Sequence, residues 1–285
     1  MWTDALAAWY EEHGRHDLPW RRTRDPWAVL VSEVMLQQTS VARVLPRYDS
    51  FLRRWPTPQH CAAASLDDVL REWTGLGYPR RAAALHGTAQ TVTRQGWPRD
   101  EAGLRALPGI GAYTARALLA FAFDAQVPPP RDVNLGRVAA RAALGVELHQ
   151  ATPRRLDTVL AASRPETVGA REHAFALFDL GATVCRARTP ACPACPLTSC
   201  LSRPRLQDGA APPRPPRRQA PWAGSMRQLR GAVLRAMVGD APPHDLGELE
   251  AHVAAVPAAR EPGAVAQALD GLRRDGLLGS DWPAG

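Results

Sequence analysis

Leu107-Pro108-Gly109-Ile110-Gly111 is the stretch that most narrows what this chain can fold into. Two glycines two apart can reverse the backbone between helices with positive φ and no Cβ in the way. The turn leaves backbone N–H groups pointing outward at the start of the next helix. With the helix dipole behind it, such a nest suits one phosphate oxygen. Thr114–Phe123 reads as that helix, apolar enough to be mostly buried. The chain then breaks at Pro128-Pro129-Pro130 and delivers Arg131-Asp132-Val133-Asn134. On these residues alone, a plain helical corner with Asp132 capping Val133–Ala143 competes with a phosphate clamp followed by a working carboxylate.

Helical periodicity runs from Asp25 to Phe123, punctuated at Pro46, Pro56, Pro58, Gly75, Gly77, Gly96, Pro98 and Pro108. No apolar/polar alternation points to a sheet, so the expected class is all-α. A short amphipathic helix and an irregular basic segment, His13–Arg24, precede this region. Further helices fit Asn134–Ala143, stopped by Gly145, then Arg154–Ala162 and Gly169–Leu180. Residues 204–221, rich in proline and arginine, read as an extended linker. The tail, 222–285, offers three short helical patterns, the last being Ala264–Asp275. It could form a winged-helix-like unit on DNA or a packing module.

At 285 residues, with 45% hydrophobic and 22% charged, the chain has room for two or three globular domains. No uninterrupted apolar run is long enough for a membrane span, and the first residues lack signal-peptide character, so a cytoplasmic protein is expected. The net charge of +7 suits a polyanionic partner. Arg21, Arg22, Arg24, Arg53, Arg54, Arg80 and Arg81 are expected to face one groove. All 35 basic residues are arginine. Codon bias accounts for that, but the chemical consequence stands: no side-chain amine exists to form a Schiff base.

Cys185-x6-Cys192-x2-Cys195-x4-Cys200 sets four thiols close together. In a reducing compartment this reads as a four-thiolate metal site, and spacing alone does not choose between zinc and an iron–sulfur cluster. Cys61, before three alanines, reads as a small core residue.

Together, Leu18-Pro-Trp-Arg21, Ser32-Glu-Val-Met-Leu-Gln-Gln-Thr39, Gly75-Leu-Gly-Tyr78, Leu107–Gly111, Asp132-Val-Asn134 and the four cysteines resemble, in order and spacing, the adenine DNA glycosylase branch of the helix-hairpin-helix (endonuclease III) superfamily. The resemblance covers roughly residues 3–202. It implies a six-helix module at 26–128, a cluster module from 1–25 with 129–203, and duplex DNA with mismatched or damaged pairs as the partner of a monomer. It also implies a [4Fe–4S] cluster on Cys185, Cys192, Cys195 and Cys200.

The resemblance further assigns Glu33 as the general acid. Adenine leaves poorly unless a ring nitrogen is protonated, and burial would keep a carboxyl protonated near neutrality. On a helical wheel Glu33 sits at the edge of the face made by Trp27, Leu30, Val31 and Val34, where a solvated flank is the alternative. Asp132 would face the oxocarbenium-like sugar as an anion. Leu107, Gly109 and Gly111 would clamp phosphate. Gln38 and Thr39 would approach the opposite base, and Tyr78 would wedge into the stack. Arg21, Leu36 and Tyr113 would line the base pocket. For Leu36 and Tyr78, core packing is the alternative. Tyr113 occupies the position where bifunctional lyases carry lysine, which implies hydrolysis without strand cutting.

Three departures from the pattern stand out. The last cysteine interval is one residue shorter than usual. Phe175 replaces the Gln or Glu that commonly faces the adenine. The tail is too short for the Nudix-like domain with which many relatives recognise 8-oxoguanine. The leading expectation is removal of adenine opposite 8-oxoguanine or guanine. The rivals are a thymine/uracil–guanine mismatch glycosylase and a non-catalytic iron–sulfur DNA-binding protein.

Overall fold

The structure is a computed structural model that describes residues 2–209 and 221–279. Among them no strand occurs, and fifteen α-helices follow in order. They are α1 (Trp2–His13), α2 (Pro26–Leu36), α3 (Val41–Arg54), α4 (Pro58–Ala63), α5 (Leu66–Glu72), α6 (Arg80–Gln95), α7 (Glu101–Arg105), α8 (Ala112–Phe121), α9 (Val133–Ala139), α10 (Pro153–Ala162), α11 (Ala170–Asp179), α12 (Arg203–Gln207), α13 (Met226–Met237), α14 (Leu246–Val253) and α15 (Ala264–Arg274). The all-α expectation holds. The span expected to hold six helices carries seven, α2 to α8. Asp100 accepts from the Gly103 N–H, which starts Glu101–Arg105 as a helix of its own.

Two compact units share the chain. The first comprises residues 1–33, 98–106 and 110–216; the second comprises 34–97, 107–109 and 217–285. The boundary between the units falls inside α2, between residues 33 and 34.

In the first unit, α9 passes into a π-helical turn over Ala140–Leu144, and Gly145 (φ 67°) ends it. A second π-turn, Leu180–Val184, extends α11 and leads into Cys185. Gly181 in that turn lies so close to α9 that an added Cβ would come 2.7 Å from the Asn134 Cβ and 2.9 Å from its carbonyl oxygen. The Asp132–Asn134 segment is thereby pressed against α11's extension.

In the second unit, α13, α14 and α15 bury Leu229, Val233, Leu249, Val253, Ala268, Leu269 and Leu272. Arg71 of α5 donates to the Val238 carbonyl (2.6 Å), and Arg80 at the start of α6 pairs with Asp275 (3.2 Å). The tail is therefore a three-helix packing element sharing a unit with α3–α6. No wing exists among its described residues. Most of the expected linker, 210–220, lies outside the described residues.

Candidate active site

Helix α2 is buried from Trp27 to Met35, on all its faces. Glu33 therefore lies inside rather than on a solvated flank. Burial pushes the Glu33 carboxyl up to about 7, and nearby Asp132 adds to the rise. A hydrogen bond from the Tyr113 hydroxyl and the positive charge of Arg21 act in the opposite direction. Burial and the two carboxylates hold the Tyr113 phenol well above its ordinary range, so Tyr113 is the donor in that bond.

Asp132 is the N-cap of α9. Its Oδ1 accepts from the N–H groups of Asn134 (2.8 Å) and Leu135 (2.7 Å), and its Oδ2 accepts from Asn134 Nδ2 (3.0 Å). Burial raises its carboxyl above the usual value, while those three donors favour the anion. Capping and a catalytic charge are compatible, since the cap uses the same carboxylate the N–H groups hold in place.

Arg21 belongs to the same unit. Its guanidinium forks onto fully buried Asp179, with Nη2 to Oδ1 at 2.8 Å, and Arg15 Nε shares that carboxylate at 2.6 Å. Arg21 also lies over the Phe175 ring, 4.6 Å from its centroid, and Phe175 packs on Phe121 at 4.6 Å. The wall near Arg21 is thus aromatic and apolar. Leu36, the last residue of α2, lies in the second unit and is half-buried.

The turn at Leu107–Gly111 uses only one of its glycines as expected. Gly109 has φ 70°, and a Cβ there would lie 2.5 Å from Ala84 Cβ. Leu107 is buried, and Thr88 Oγ1 donates to the Pro108 carbonyl at 2.8 Å. Gly111 is instead extended (φ −89°, ψ 178°) and caps α8 without a side chain, with open space where its Cβ would be. The first N–H groups of α8 therefore have no side-chain cap.

Two further segments are strained. Gln38 (φ 54°) and Tyr78 (φ 50°) are non-glycine residues in the left-handed region, each at a cost of roughly 1–3 kcal/mol. Gln38 is exposed, Thr39 is half-buried, and the Tyr78 side chain is 43% exposed, which excludes core packing for it. Arg81 does not offer its charge to a groove: its guanidinium is turned onto backbone carbonyls of its own unit.

Cys185, Cys192, Cys195 and Cys200 line one cavity with Val184, Pro190, Ala191, Leu197, Arg203 and Leu206. The short last interval still brings Cys200 to it. Among the described residues no three His, Cys, Asp or Glu side chains form a group that could hold a single metal ion, although all four cysteines line this cavity. The donors around them suit thiolates. Arg141 Nη1 donates to Cys185 Sγ (3.7 Å), backbone N–H groups near Cys195 and Cys200 favour their anions, and the Cys200 thiol donates to the Arg141 carbonyl (3.4 Å). Burial, with the neighbouring cysteines adding to it, pushes the Cys195 thiol up to about 11, so anionic sulfur there needs a positive group beside it. Cys61 is fully buried, and burial pushes its thiol up to about 12, as fits a core residue.

Sequence reasoning missed Asp179 and Arg137, and it assigned Arg81 to a groove rather than to the protein's own carbonyls. Arg137 donates to the Cys185 carbonyl (2.6 Å), the Gly181 carbonyl (2.6 Å) and Asn134 Oδ1 (2.9 Å), tying the cysteine segment to the Asp132–Asn134 cap. No periodicity marks such residues, because an arginine that satisfies buried carbonyls looks like any surface arginine in one dimension.

Comparisons agree with this geometry. A profile of the HhH-GPD superfamily of base excision DNA repair proteins matches residues 31–160. The chain is 44% identical to an adenine DNA glycosylase of Mycolicibacterium smegmatis, over 96% of this chain and 91% of the relative. It is 48% identical to one of Mycobacterium tuberculosis, over 80% and 76%. Among solved structures, a thermostable thymine-DNA glycosylase superposes with a TM-score of 0.65 at 25% identity, covering 71% of this chain and 95% of that one. No helix among the described residues is long and apolar enough to cross a membrane.

Proposed function

The chain belongs to the adenine DNA glycosylases of the HhH-GPD superfamily of base excision DNA repair proteins, and from that premise we propose that it hydrolyses the N-glycosidic bond of adenine opposite 8-oxoguanine or guanine without cutting the strand. One observation carries the reading. A buried carboxyl at about 7, hydrogen-bonded to Tyr113, shares a unit with the capped carboxylate of Asp132. Burial raises both carboxyls, but Glu33 reaches about 7 while three donors favour the Asp132 anion, which gives the acid and the anion that sugar chemistry needs.

Glu33, protonated near neutrality, gives its proton to a ring nitrogen of the extruded adenine as the bond to C1′ breaks. Tyr113 keeps the carboxyl oriented. Asp132 stays anionic and stabilises the positive charge spreading over C1′ and the ring oxygen until water adds. Arg21, fixed by Asp179, forms a wall of the base pocket with Phe175. The uncapped start of α8 at Gly111, with Leu107 and Gly109 before it, holds a phosphate. Gln38 and Thr39 meet the opposite base while Tyr78 fills the stack.

Cys185, Cys192, Cys195 and Cys200 hold a [4Fe–4S] cluster. It supplies structural cross-linking of the 185–203 segment rather than a step of the reaction. The protein acts as a monomer on duplex DNA, with 26–128 as the DNA-reading module and 1–25 with 129–203 as the cluster module.

The test is a panel of duplexes bearing A:8-oxoguanine, A:G, T:G, U:G or oxidised pyrimidines, scored separately for base release and strand scission. Adenine release with intact abasic strands is expected. Release of thymine or uracil in place of adenine would instead favour the rival reading as a thymine/uracil–guanine mismatch glycosylase.

A further inference from the structure

One guanidinium in the second unit does an unusual amount of bonding. Arg81 Nη1 donates to the carbonyls of Val34 (2.7 Å), Met35 (3.1 Å) and Gln37 (2.5 Å). Its Nη2 donates to Thr39 Oγ1 (3.2 Å) and to the carbonyls of Leu76 (3.1 Å) and Gly77 (3.0 Å). The charge also sits 5.3 Å from the centroid of the Tyr78 ring and 5.5 Å from that of Trp73.

The acceptors form two groups. Val34, Met35 and Gln37 are the last turn of α2 and its exit, whose carbonyls have no partner within the helix. Leu76 and Gly77 belong to the loop before α6. Each group ends in a residue held in the left-handed region, Gln38 in one and Tyr78 in the other. A non-glycine residue keeps that conformation only where its surroundings over-determine it. Here Arg81 supplies most of those bonds, beside the contact of Thr39 Oγ1 with the Leu76 carbonyl (3.3 Å) and of Trp73 Nε1 with the Gly77 carbonyl (3.1 Å). Only a planar fork with two terminal nitrogens can reach both segments at once.

We propose that Arg81 is a positioning residue that holds Gln38–Thr39 and Gly75–Tyr78, before DNA arrives, in the conformations in which they enter the duplex. The proposal rests on the reading above that these two segments enter DNA. Arg81 itself touches neither base nor phosphate, since its terminal nitrogens are occupied by the protein's own oxygens. What it supplies is preorganisation: two strained loops arranged in advance, so that filling the gap left by an extruded base needs no reordering at that moment.

The full chain is compared as wild type, Arg81→Gln, Arg81→Lys, Tyr78→Ala and the Arg81→Gln/Tyr78→Ala double variant. Three readouts are taken: duplex affinity, the fluorescence rise of 2-aminopurine replacing the target adenine opposite guanine, and single-turnover adenine release. Arg81→Gln should bind duplex within a few-fold of wild type, because phosphate contacts carry most of the affinity. It should lose the fluorescence rise and slow release by on the order of 10²-fold. The double variant should be no slower than the more severe single one, because both act through the same loop.

A folded Arg81→Gln with wild-type fluorescence and rate would overturn the proposal. So would additive losses in the double variant, which would make Arg81 a general stabiliser. If Arg81→Gln does not fold, Arg81→Lys replaces it under the same outcomes, since a compact ammonium cannot span both acceptor groups. A Tyr78→Ala variant with unchanged fluorescence and rate would remove the reading that this loop enters DNA, and the proposal with it. A defective Tyr78→Ala beside a normal Arg81→Gln would remove Arg81's role alone.

Discussion

The Tyr113 hydroxyl donates to the Glu33 carboxylate within the first unit, and this bond works against the burial that holds the carboxyl near 7. Burial, this bond, Asp132 and Arg21 together set the protonation state of Glu33. A general acid must carry its proton in the working pH range, so the rate of adenine release should fall as pH rises through about 7. Tyr113→Phe removes a contact that favours the ionised form, so its alkaline limb should move to higher pH. Single-turnover rates from pH 5 to 9 for both proteins check this. An unmoved limb would separate Tyr113 from the titrating group.

Glu33→Gln should cost about 10²–10⁴ in rate, the usual contribution of a general acid, while duplex affinity stays within a few-fold. The same variant tests linkage. Because folding raises the Glu33 pKa, the group's contribution to stability is full below about 4.5 and is lost as pH rises through about 7. Glu33→Gln should therefore melt higher than wild type at pH 8, by an amount that vanishes toward pH 4.5. A near-wild-type rate for the variant would make Glu33 structural.

Asp132→Asn keeps the N-cap of α9, since asparagine caps helices about as well as aspartate. Only the charge is lost. The variant should fold with nearly the wild-type melting temperature and release no adenine, whereas Asp132→Ala should also lose about 1 kcal/mol of stability. An active Asn variant would leave Asp132 as a cap only.

Protein purified without oxygen should be brown and carry about four irons per chain. Replacing Cys200 by alanine should deplete the iron, because that sulfur lines the cavity despite its shortened interval. Cys61→Ser should leave the iron content unchanged. Colourless protein with one zinc would keep the thiolate site and reject the cluster.

A lyase of this superfamily forms an imine between a lysine amine and C1′, which borohydride traps on DNA. This chain has no lysine, and Tyr113 stands at the position concerned. Base release should therefore leave abasic strands that break only on later heating or alkali. An efficient borohydride crosslink formed during turnover would contradict hydrolysis by water.

Much of this was readable in one dimension. Periodicity without alternation marks an all-helical chain. Local chemistry also sets several helix ends: Asp132 caps α9, Gly145 stops its extension, and α10 and α15 fall within a residue or so of the expected bounds. Glu33, Asp132 and the four cysteines stand out as candidates from motif order, because each belongs to a short stretch of recognisable spacing. These features depend on residues near one another in sequence, where steric and hydrogen-bonding rules operate without the rest of the fold.

Tertiary structure decided the rest. Sequence placed Glu33 at the edge of an apolar face; only the packing around α2 made the whole helix buried and lifted the carboxyl to about 7. The arginine roles divided in the same way. Arg21 and Arg81 were read as charges for a groove, yet one is fixed on buried Asp179 and the other on carbonyls from two loops. Gly111 was expected to turn the chain and is extended instead, and the tail's last helices joined α5 and α6 in one unit. The reason is common to all of these. Desolvation, a fork of hydrogen bonds and a shared core depend on what arrives from distant parts of the chain, and no local pattern carries that information.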